Sequence, residues 1–556
     1  MYTLGVDFGT LSGRALLVDV RTGEEIATAI FDYPHGVIDD VLPTSGKKLP
    51  PEWALQHPQD YMDVFFNTVP QVMQVSGVSP DEVIGLAVDF TASSPLPAME
   101  DGTPLCLVDG YADEPHAYVK LWKHHASQPQ ADKINTVAAE RGEAWLARYG
   151  GKYSSEWFFS KLLQILEEAP DVYDGFDTFI EAADWVIWQL TDNLTRNACT
   201  AGYKMLVQDG DYPSPAFFAA LHPRFENVIA EKVGREFAPL GGKAGELTPE
   251  MAEKMGLNPG IAIAVANVDA HVTAPAVKAV EPGQMVMIMG TSTCHIVSGE
   301  VINNVEGMCG VVNGGVVEGL YGYEAGQSGV GDIFAWFVDH GVPREYYDAA
   351  DAAGMDIHSY LEQQAAQQKP GEHGLLALDW WNGNRSTLVD TNLSGMIVGM
   401  TLATRAPDIY RALIEATAYG TREIIDAFEA QGVPVTELVA AGGLPEKNAM
   451  LRQIYADVTG RSFRLAGSAQ APALGSAIHA TTAAGYYENI HAASQVMGKL
   501  KDEVVEPIPE NKAMYDRLYD EYRTLYSYFG RGENNVMKRL KLIRRDASGE
   551  TTSMEG

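Results

Sequence analysis

Short apolar runs that end on small or acidic residues recur along the 556-residue chain. The first covers residues 4–8 and stops at Gly9 and Thr10, and a second run follows over residues 12–20. Two apolar runs joined by a short polar turn predict antiparallel strands in a hairpin. Gly9 lets a backbone approach a ligand closely, while Thr10 and Ser12 supply hydroxyl and amide donors. The hairpin tip is therefore suited to phosphate.

The same design returns near the middle of the chain. Residues 283–299 form an apolar run, a turn of Gly290, Thr291 and Ser292, and a returning apolar run. Beside the first hairpin, Asp7 offers the carboxylate oxygen that a hydrated Mg²⁺ prefers. An ordinary hairpin with a polar tip has the same local pattern. Two phosphate-type hairpins, one opening each half, resemble the actin-like ATPase fold, in which duplicated domains close over a nucleotide.

Length and composition limit the class of protein. A chain of this length exceeds what one core normally supports, which predicts two domains or more. Hydrophobic residues make up 46% and charged residues 21%, as in globular proteins. The net charge of −34 disfavours nucleic-acid and anionic-membrane partners, so an anionic ligand needs a local pocket rich in donors.

Cysteine usage and the beginning of the chain predict a location. The four cysteines are widely spaced and match no zinc or redox pattern, which predicts reduced thiols and a cytosolic protein. No signal-peptide core precedes the first strand, and no apolar run is long enough to span a bilayer. A homodimer is compatible with these features and stays an open expectation.

Three stretches suggest a small-substrate pocket. The strand over residues 83–90 ends in a polar loop with Ala92 and Ser93, and ligands lie beyond the carboxyl ends of strands in open α/β sheets. Asp269 follows another buried strand, which is a suitable position for a base. Lys204 lies among small and apolar residues, where a long cation needs an anionic or hydroxyl-rich partner. A plain turn at Ala92 and a surface position for Lys204 are the structural alternatives.

Two further stretches suggest ligand contacts. Glu324 and Gln327 are predicted to lie in a glycine-rich turn ahead of an amphipathic helix. A later strand ends in Gly442 and Gly443, where paired glycines let a flat base lie against backbone, with Asn448 available at the rim. A plain strand-to-helix turn explains the same glycines. Neither a GxxxxGK[ST] loop nor a GxGxxG fingerprint occurs in the sequence.

Together the first hairpin, the GTST hairpin and AAGGLPEKNAMLRQIYADVTG resemble the FGGY family of carbohydrate kinases, in the family's order and over almost the whole chain. The resemblance implies an α/β protein with two actin-like ATPase (RNase H-like) domains, a nucleotide and sugar cleft between them, and ATP with Mg²⁺ as donor. It places the N-terminal domain at residues 1–278, the C-terminal domain at 279–545 and a tail at 546–556.

The resemblance also assigns roles by position. Asp269 matches the catalytic aspartate, and Ala92, Ser93, Lys204 and Glu324 face the sugar, although Ala92 departs from the bulkier or polar residues of related kinases. Asp7 is the expected metal residue. The expected nucleotide contacts are Gly9, Thr10, Ser12, Arg14, Gly290, Thr291, Ser292, Gln327, Gly442, Gly443 and Asn448. A chaperone-type ATPase or a filament-forming actin relative shares the hairpins, but neither needs a lone carboxylate such as Asp269 aimed at a small-molecule pocket.

Overall fold

Two seven-stranded sheets organise the protein, whose computed structural model describes residues 1–548. The N-terminal sheet has the order β5-β6-β4-β1-β2-β3, and β7 also pairs with β4. Its strands are β1 Tyr2–Phe8, β2 Ser12–Asp19, β3 Glu25–Asp32, β4 Val83–Phe90, β5 Lys243–Glu246, β6 Ala262–Ala264 and β7 Asn267–Val268.

The C-terminal sheet repeats this plan, with the order β10-β11-β9-β8-β12-β13-β14. In each sheet an antiparallel hairpin continues into a third antiparallel strand, and parallel strands lie on the hairpin's other side. The hairpins predicted from the apolar runs are thus both present. The strands are β8 Gln284–Met289, β9 Thr293–Gly299, β10 Gly310–Asn313, β11 Tyr321–Gln327, β12 Glu437–Ala441, β13 Ser462–Ala466 and β14 Leu500–Val505.

Helices cover both sheets, and four two-stranded pairs lie outside them. The pairs join Leu55–Gln56 to Val119–Lys120, Pro95–Ala98 to Thr178–Glu181, Arg196–Asn197 to Phe237–Ala238, and Leu376–Leu378 to Met396–Val398. The α-helices are Pro58–Ser76, Gln128–Arg141, Phe158–Glu168, Pro170–Asp174, Ala182–Thr191, Ala198–Lys204, Pro215–Leu221, Pro249–Met255, Asp269–Ala276, Gly331–Gly341, Arg344–Ala353, Ile357–Ala365, Ala406–Ala430, Gly443–Lys447, Ala449–Thr459, Ala471–Ala483, Ile490–Met497, Pro509–Gly530 and Val536–Ser548.

Strand β1 is buried on both faces, which explains its nearly continuous apolar sequence. On one face Phe8 stacks on Phe90 of β4 with ring centroids 4.4 Å apart, and it meets Phe65 of the helix Pro58–Ser76 edge-on. That helix runs unbroken from Pro58 to Ser76, with Pro70 inside it.

The helix Ala471–Ala483 covers the other face of β1, although it comes from the second half of the chain. A Cβ atom on Gly5 would lie 1.8 Å from the Ala473 carbonyl oxygen, so only glycine fits there. The Thr3 hydroxyl donates to the Ala477 carbonyl at 2.9 Å. This helix and the helix Asp269–Ala276 lie between the two sheets in a shared core.

A mostly helical region between β4 and β5 has its own aromatic core, which includes Trp145, Tyr153 and Phe159. It places the helix Ala198–Lys204 against β10 of the C-terminal sheet. The predicted tail begins inside the helix Val536–Ser548, and residues 549–556 lie outside the described part of the chain. Across residues 1–548, no helix is both long and apolar enough to cross a membrane.

Candidate active site

Three hydrogen bonds fix the conformation of the first hairpin tip. The Gly9 amide donates to the Ser12 carbonyl at 3.0 Å, which closes the turn. The Thr10 carbonyl accepts from Gln56 Nε2 at 2.7 Å, and its hydroxyl accepts from Trp122 Nε1 at 3.1 Å. The tip is therefore held in place by residues from outside the hairpin.

The second hairpin meets the beginning of a helix. The Gly290 amide donates to the Ser292 carbonyl at 2.9 Å, and the Thr291 carbonyl accepts from the Val330 amide at 2.8 Å. The Gly331 amide, at the start of the helix Gly331–Gly341, donates to the Gly290 carbonyl at 3.0 Å. Amides that a helix terminus leaves unpaired thus fix this hairpin.

Three carboxylates meet at the carboxyl edge of the N-terminal sheet. Asp7 of β1 lies beside Asp89 of β4, and Val268 of β7 pairs with Phe90, which brings Asp269 to the same edge. Arg14, the partner of Asp7 across the hairpin, places its Nε 3.1 Å from an Asp7 carboxylate oxygen. Sequence reasoning missed Asp89, although a Val-Asp pair occurs near the carboxyl end of β1 and of β4 and directly spans the end of β7, which was a usable signal.

Burial controls the charge of this carboxylate group. Burial raises the pKa of Asp7 despite the opposing Arg14, and burial together with Asp7 raises the pKa of Asp89 strongly. Burial and the charge of Asp7 raise the pKa of Asp269 to about 7. One Asp89 oxygen accepts from Ser476 at 2.6 Å, and the other has no hydrogen-bond partner within residues 1–548. Carboxylates in this state fit a divalent cation, which supplies the missing positive charge.

Lys204 and Glu324 form a buried ion pair between the two halves of the chain. Lys204 Nζ lies 3.0 and 3.1 Å from the two Glu324 oxygens and 5.0 Å from the centre of the Trp157 ring. Burial would raise the pKa of Glu324, but Lys204 holds it below its ordinary value. Lys204 is therefore a buried lysine with an anionic partner, and not a surface residue.

Two neighbours of this ion pair were not predicted. His271 Nε2 lies 3.4 Å from Glu324 Oε2, and burial lowers the pKa of His271 to about 4, so its ring is neutral near pH 7. Arg385 lies 3.8 Å from Glu156 and forms a second charged contact between the halves. The sequence analysis assigned a role to neither residue, because these contacts join segments that are far apart in the chain.

The loop after β4 adopts an unusual conformation. Ser93 is buried with φ 61°, in the left-handed region that non-glycine residues seldom occupy. Its hydroxyl has no hydrogen-bond partner in the described chain, and Ala92 beside it is partly exposed. The loop follows Phe90, which pairs with Val268, so Ser93 and Asp269 lie at the same sheet edge.

The glycine pair after β12 differs in its surroundings. Gly442 has φ 107°, and a Cβ there would lie 2.3 Å from the Met289 carbonyl, so glycine is required. A Cβ on Gly443 would meet nothing within 4 Å, which leaves open space for a flat ligand. Asn448 begins the helix Ala449–Thr459 by accepting from the Leu451 amide at 2.7 Å.

The predictions for Glu324 and Gln327 need a correction. Both residues lie in strand β11, and not in a turn, because β11 pairs with β9 and β10 over this stretch. Gln327 Nε2 donates to Asp379 at 2.8 Å and to the Thr417 carbonyl at 2.9 Å, while its oxygen accepts from Thr421. The Gln327 amide thus serves the core of the C-terminal domain, and its nucleotide role stays a prediction.

Comparisons with known proteins agree with this architecture. A curated protein named ribulokinase from Halalkalibacterium halodurans is 57% identical over 98% of this chain and 97% of its own length. Another of that name, from Mycolicibacterium smegmatis, is 53% identical over 99% of this chain and 98% of its own. The solved xylulose kinase from Rhodospirillum rubrum has the same fold, with a TM-score of 0.77, 21% identity, and coverage of 95% of this chain and 98% of that one.

Both halves of the chain match one family. Residues 2–275 match the N-terminal domain, and residues 285–484 match the C-terminal domain, of the FGGY family of carbohydrate kinases. The two related sheets, each with its hairpin, are the architecture that such a match requires. The chain therefore belongs to the FGGY family of carbohydrate kinases.

Proposed function

We propose that this kinase transfers the γ-phosphoryl group of ATP to L-ribulose and forms L-ribulose 5-phosphate in L-arabinose catabolism. Full-length relatives at 53–57% identity bear the name ribulokinase, which supports this choice of sugar. The observation that carries the proposal is the Lys204–Glu324 ion pair at 3.0 Å, which offers a donor and an acceptor to a polyhydroxylated substrate.

The proposed sugar site combines residues from both halves. Asp269 is the general base, because it lies at the carboxyl edge of the N-terminal sheet with a pKa raised to about 7 by burial and Asp7. Ala92 and Ser93 line the same edge, and Lys204 with Glu324 completes the pocket. A base with a pKa near the working pH takes a proton efficiently.

The proposed nucleotide site uses the two hairpins and the glycine pair. Asp7 would hold Mg²⁺, and Asp89 lies beside it on the neighbouring strand. ATP would supply the phosphoryl group, and the Mg²⁺ bound with it would offset the negative charge on that group. The phosphate contacts are Gly9, Thr10, Ser12, Arg14, Gly290, Thr291 and Ser292. Gly442, Gly443 and Asn448 form the adenosine side, where the space beside Gly443 supports a flat base.

The chain's own residues then position the acceptor. Asp269 orients the sugar hydroxyl and accepts its proton, and in a loose transition state this deprotonation comes late. We propose that residues 1–278 and 279–545 close on each other and exclude water, which would otherwise compete as acceptor. The charged contacts Lys204–Glu324 and Arg385–Glu156 cross between these units and support such closure.

The proposal also covers the cellular location, the ligands and the oligomeric state of the enzyme. We place the enzyme in the cytosol, supported by four cysteines that are all free thiols. ATP and the sugar are its small-molecule partners, and a mass measurement in solution tests whether the chain forms a homodimer.

A sugar panel tests the function. With a coupled assay for ADP, the purified chain is given L-ribulose, D-xylulose and glycerol at saturating Mg-ATP, with a control that contains no sugar. We expect the highest kcat/KM for L-ribulose. A higher value for D-xylulose or glycerol would show a kinase for another ketopentose or polyol. ADP release that does not depend on any sugar would instead indicate a non-kinase actin-like ATPase.

A further inference from the structure

Two buried ionisable residues hold one peptide group of the loop after β4. Lys161, in the helix Phe158–Glu168, donates from Nζ to the Ser93 carbonyl at 2.6 Å. Glu181 accepts from the Ser94 amide at 2.9 Å. The Ser93 carbonyl and the Ser94 amide belong to the same peptide group, so this peptide is hydrogen-bonded at both its oxygen and its nitrogen. Rotating this peptide would break both contacts at once.

Both side chains are buried, so losing these hydrogen bonds would cost free energy. Lys161 is 0% and Glu181 2% exposed, and an ionisable group is costly to bury unless polar partners compensate. Within residues 1–548, the hydrogen bonds of Lys161 Nζ go to three carbonyls, those of Ser93, Leu121 at 2.9 Å and Lys120 at 3.3 Å. Through these hydrogen bonds the lysine joins the loop to the segment that contains Lys120 and Leu121.

The gripped peptide adjoins the strained residue. Ser93 has φ 61°, a conformation that costs free energy for a side chain other than glycine and persists only when the surroundings impose it. Its buried hydroxyl has no partner among the described residues. An unsatisfied buried hydroxyl at the edge that carries Asp269 is a ready partner for a sugar hydroxyl.

We propose that Lys161 and Glu181 are positioning residues for the sugar, which hold the Ser93–Ser94 peptide and so fix the direction of the Ser93 hydroxyl. The inference rests on the proposed sugar kinase function. Neither residue touches the reacting atoms. Both act through the loop, so their loss weakens sugar binding and leaves the nucleotide side intact, because the two hairpins and Gly443 make no use of this peptide.

Kinetics of Lys161→Met provide the test, since methionine keeps the length and removes the donor. We expect the KM for the sugar to rise by about tenfold or more, with the KM for ATP within about twofold of the parent. The matched control is Lys120→Met. Lys120 is also fully buried, and its Nζ donates to Gln164 at 3.1 Å without touching the loop peptide. Its sugar KM should stay within about twofold.

Variants of Glu181 give a second arm if Lys161→Met does not fold. Glu181→Gln keeps an oxygen that can accept from the Ser94 amide, so its sugar KM should stay within about threefold, whereas Glu181→Leu should raise it by about tenfold. A rescue by glutamine separates lost positioning from a general loss of packing.

Several results would overturn the inference. These are an unchanged sugar KM in Lys161→Met, equal losses for sugar and ATP, an equal effect of Lys120→Met, or equal effects of the two Glu181 substitutions. The parent's best sugar from the panel serves as substrate in every arm. A parent that prefers another sugar contradicts the proposed function, while the ratio of variant to parent on that sugar still decides the inference.

Discussion

In the proposed mechanism, the charge of one side chain, Asp269, decides the chemistry at the sugar site. Its carboxylate follows β7 and lies in the partly buried first turn of the helix Asp269–Ala276. Asp269→Asn keeps the shape but cannot take a proton. We expect it to fold, to bind Mg-ATP and sugar within a few-fold of the parent, and to lose about 10² to 10⁴ in kcat. Turnover, ligand affinity and thermal unfolding are measured on one preparation.

A structural role for Asp269 would give the opposite pattern. The variant would then lose stability and keep its turnover. Near-parental kcat in a folded, ligand-binding variant would remove Asp269 from the mechanism and leave Glu324, the other carboxylate near the sugar, as the next candidate.

The raised pKa of Asp269 predicts two pH effects. The base is active when deprotonated, so kcat/KM of the free enzyme should fall as the pH drops through about 7. A folded-state pKa above the ordinary value of 3.8 means that the folded state binds the proton more tightly. The contribution of Asp269 to the free energy of unfolding therefore falls as the pH rises from 3.8 to about 7. At about pH 8, Asp269→Asn should melt at a higher temperature than the parent. An unchanged acidic limb in the variant would assign that limb to another group.

Substitutions should distinguish the residue that contacts the metal from the residue that contacts adenosine. Asp7→Ala removes a carboxylate and should mainly disrupt productive Mg-ATP use, whereas Gly443→Leu fills the open space and should mainly weaken adenosine binding. Titration calorimetry with ATP, with and without Mg²⁺, measures both. Losses that are equal and independent of the metal in the two variants would contradict this division.

At the scale of elements, the helix Ala471–Ala483 joins the halves by close backbone packing. A Cβ on Gly5 of β1 would lie 1.8 Å from the Ala473 carbonyl, which neither a strand nor a packed helix can accommodate without shifting. Gly5→Ala should destabilise the protein by more than about 3 kcal/mol or prevent folding.

The control for Gly5 is Gly290→Ala. A Cβ at Gly290 would meet nothing within 4 Å, and its φ is not in the left-handed region, so the melting temperature should stay near that of the parent. The readout is thermal unfolding and the yield of folded protein. A Gly5→Ala variant as stable as Gly290→Ala would show that the helix can move away from β1 at little cost.

At the scale of the whole molecule, the net charge of −34 acts against an anionic nucleotide. Salt screens repulsion between like charges, so raising NaCl from about 20 to about 200 mM should lower the KM for Mg-ATP by about two- to threefold. The sugar is neutral and serves as an internal control, because its KM should not change. A KM for Mg-ATP that rises with salt would show that local cations such as Arg14 outweigh the field of the whole chain.

The sequence by itself determined the local features of this protein. Apolar runs of strand length predicted both hairpins, and small flexible residues predicted where a ligand can approach, because these properties depend on neighbours along the chain. For Lys204 the apolar sequence neighbours left a surface position and a partnered, less exposed position both open, and the structure shows that the residue is buried. The family resemblance covered the order of both domains, and the family match agrees with it.

Only the tertiary structure decided which distant groups meet. Glu324 became the partner of Lys204 through the contact between the halves, and Gln327 proved to be engaged in the core of its own domain. Asp89 joined Asp7 because parallel strands place equivalent residues side by side. Lys161 and Glu181 hydrogen-bond to a peptide group that lies about 70 to 90 positions away in the chain. Local patterns carry no information on such contacts, since they depend on the register and packing of elements that are far apart in the chain.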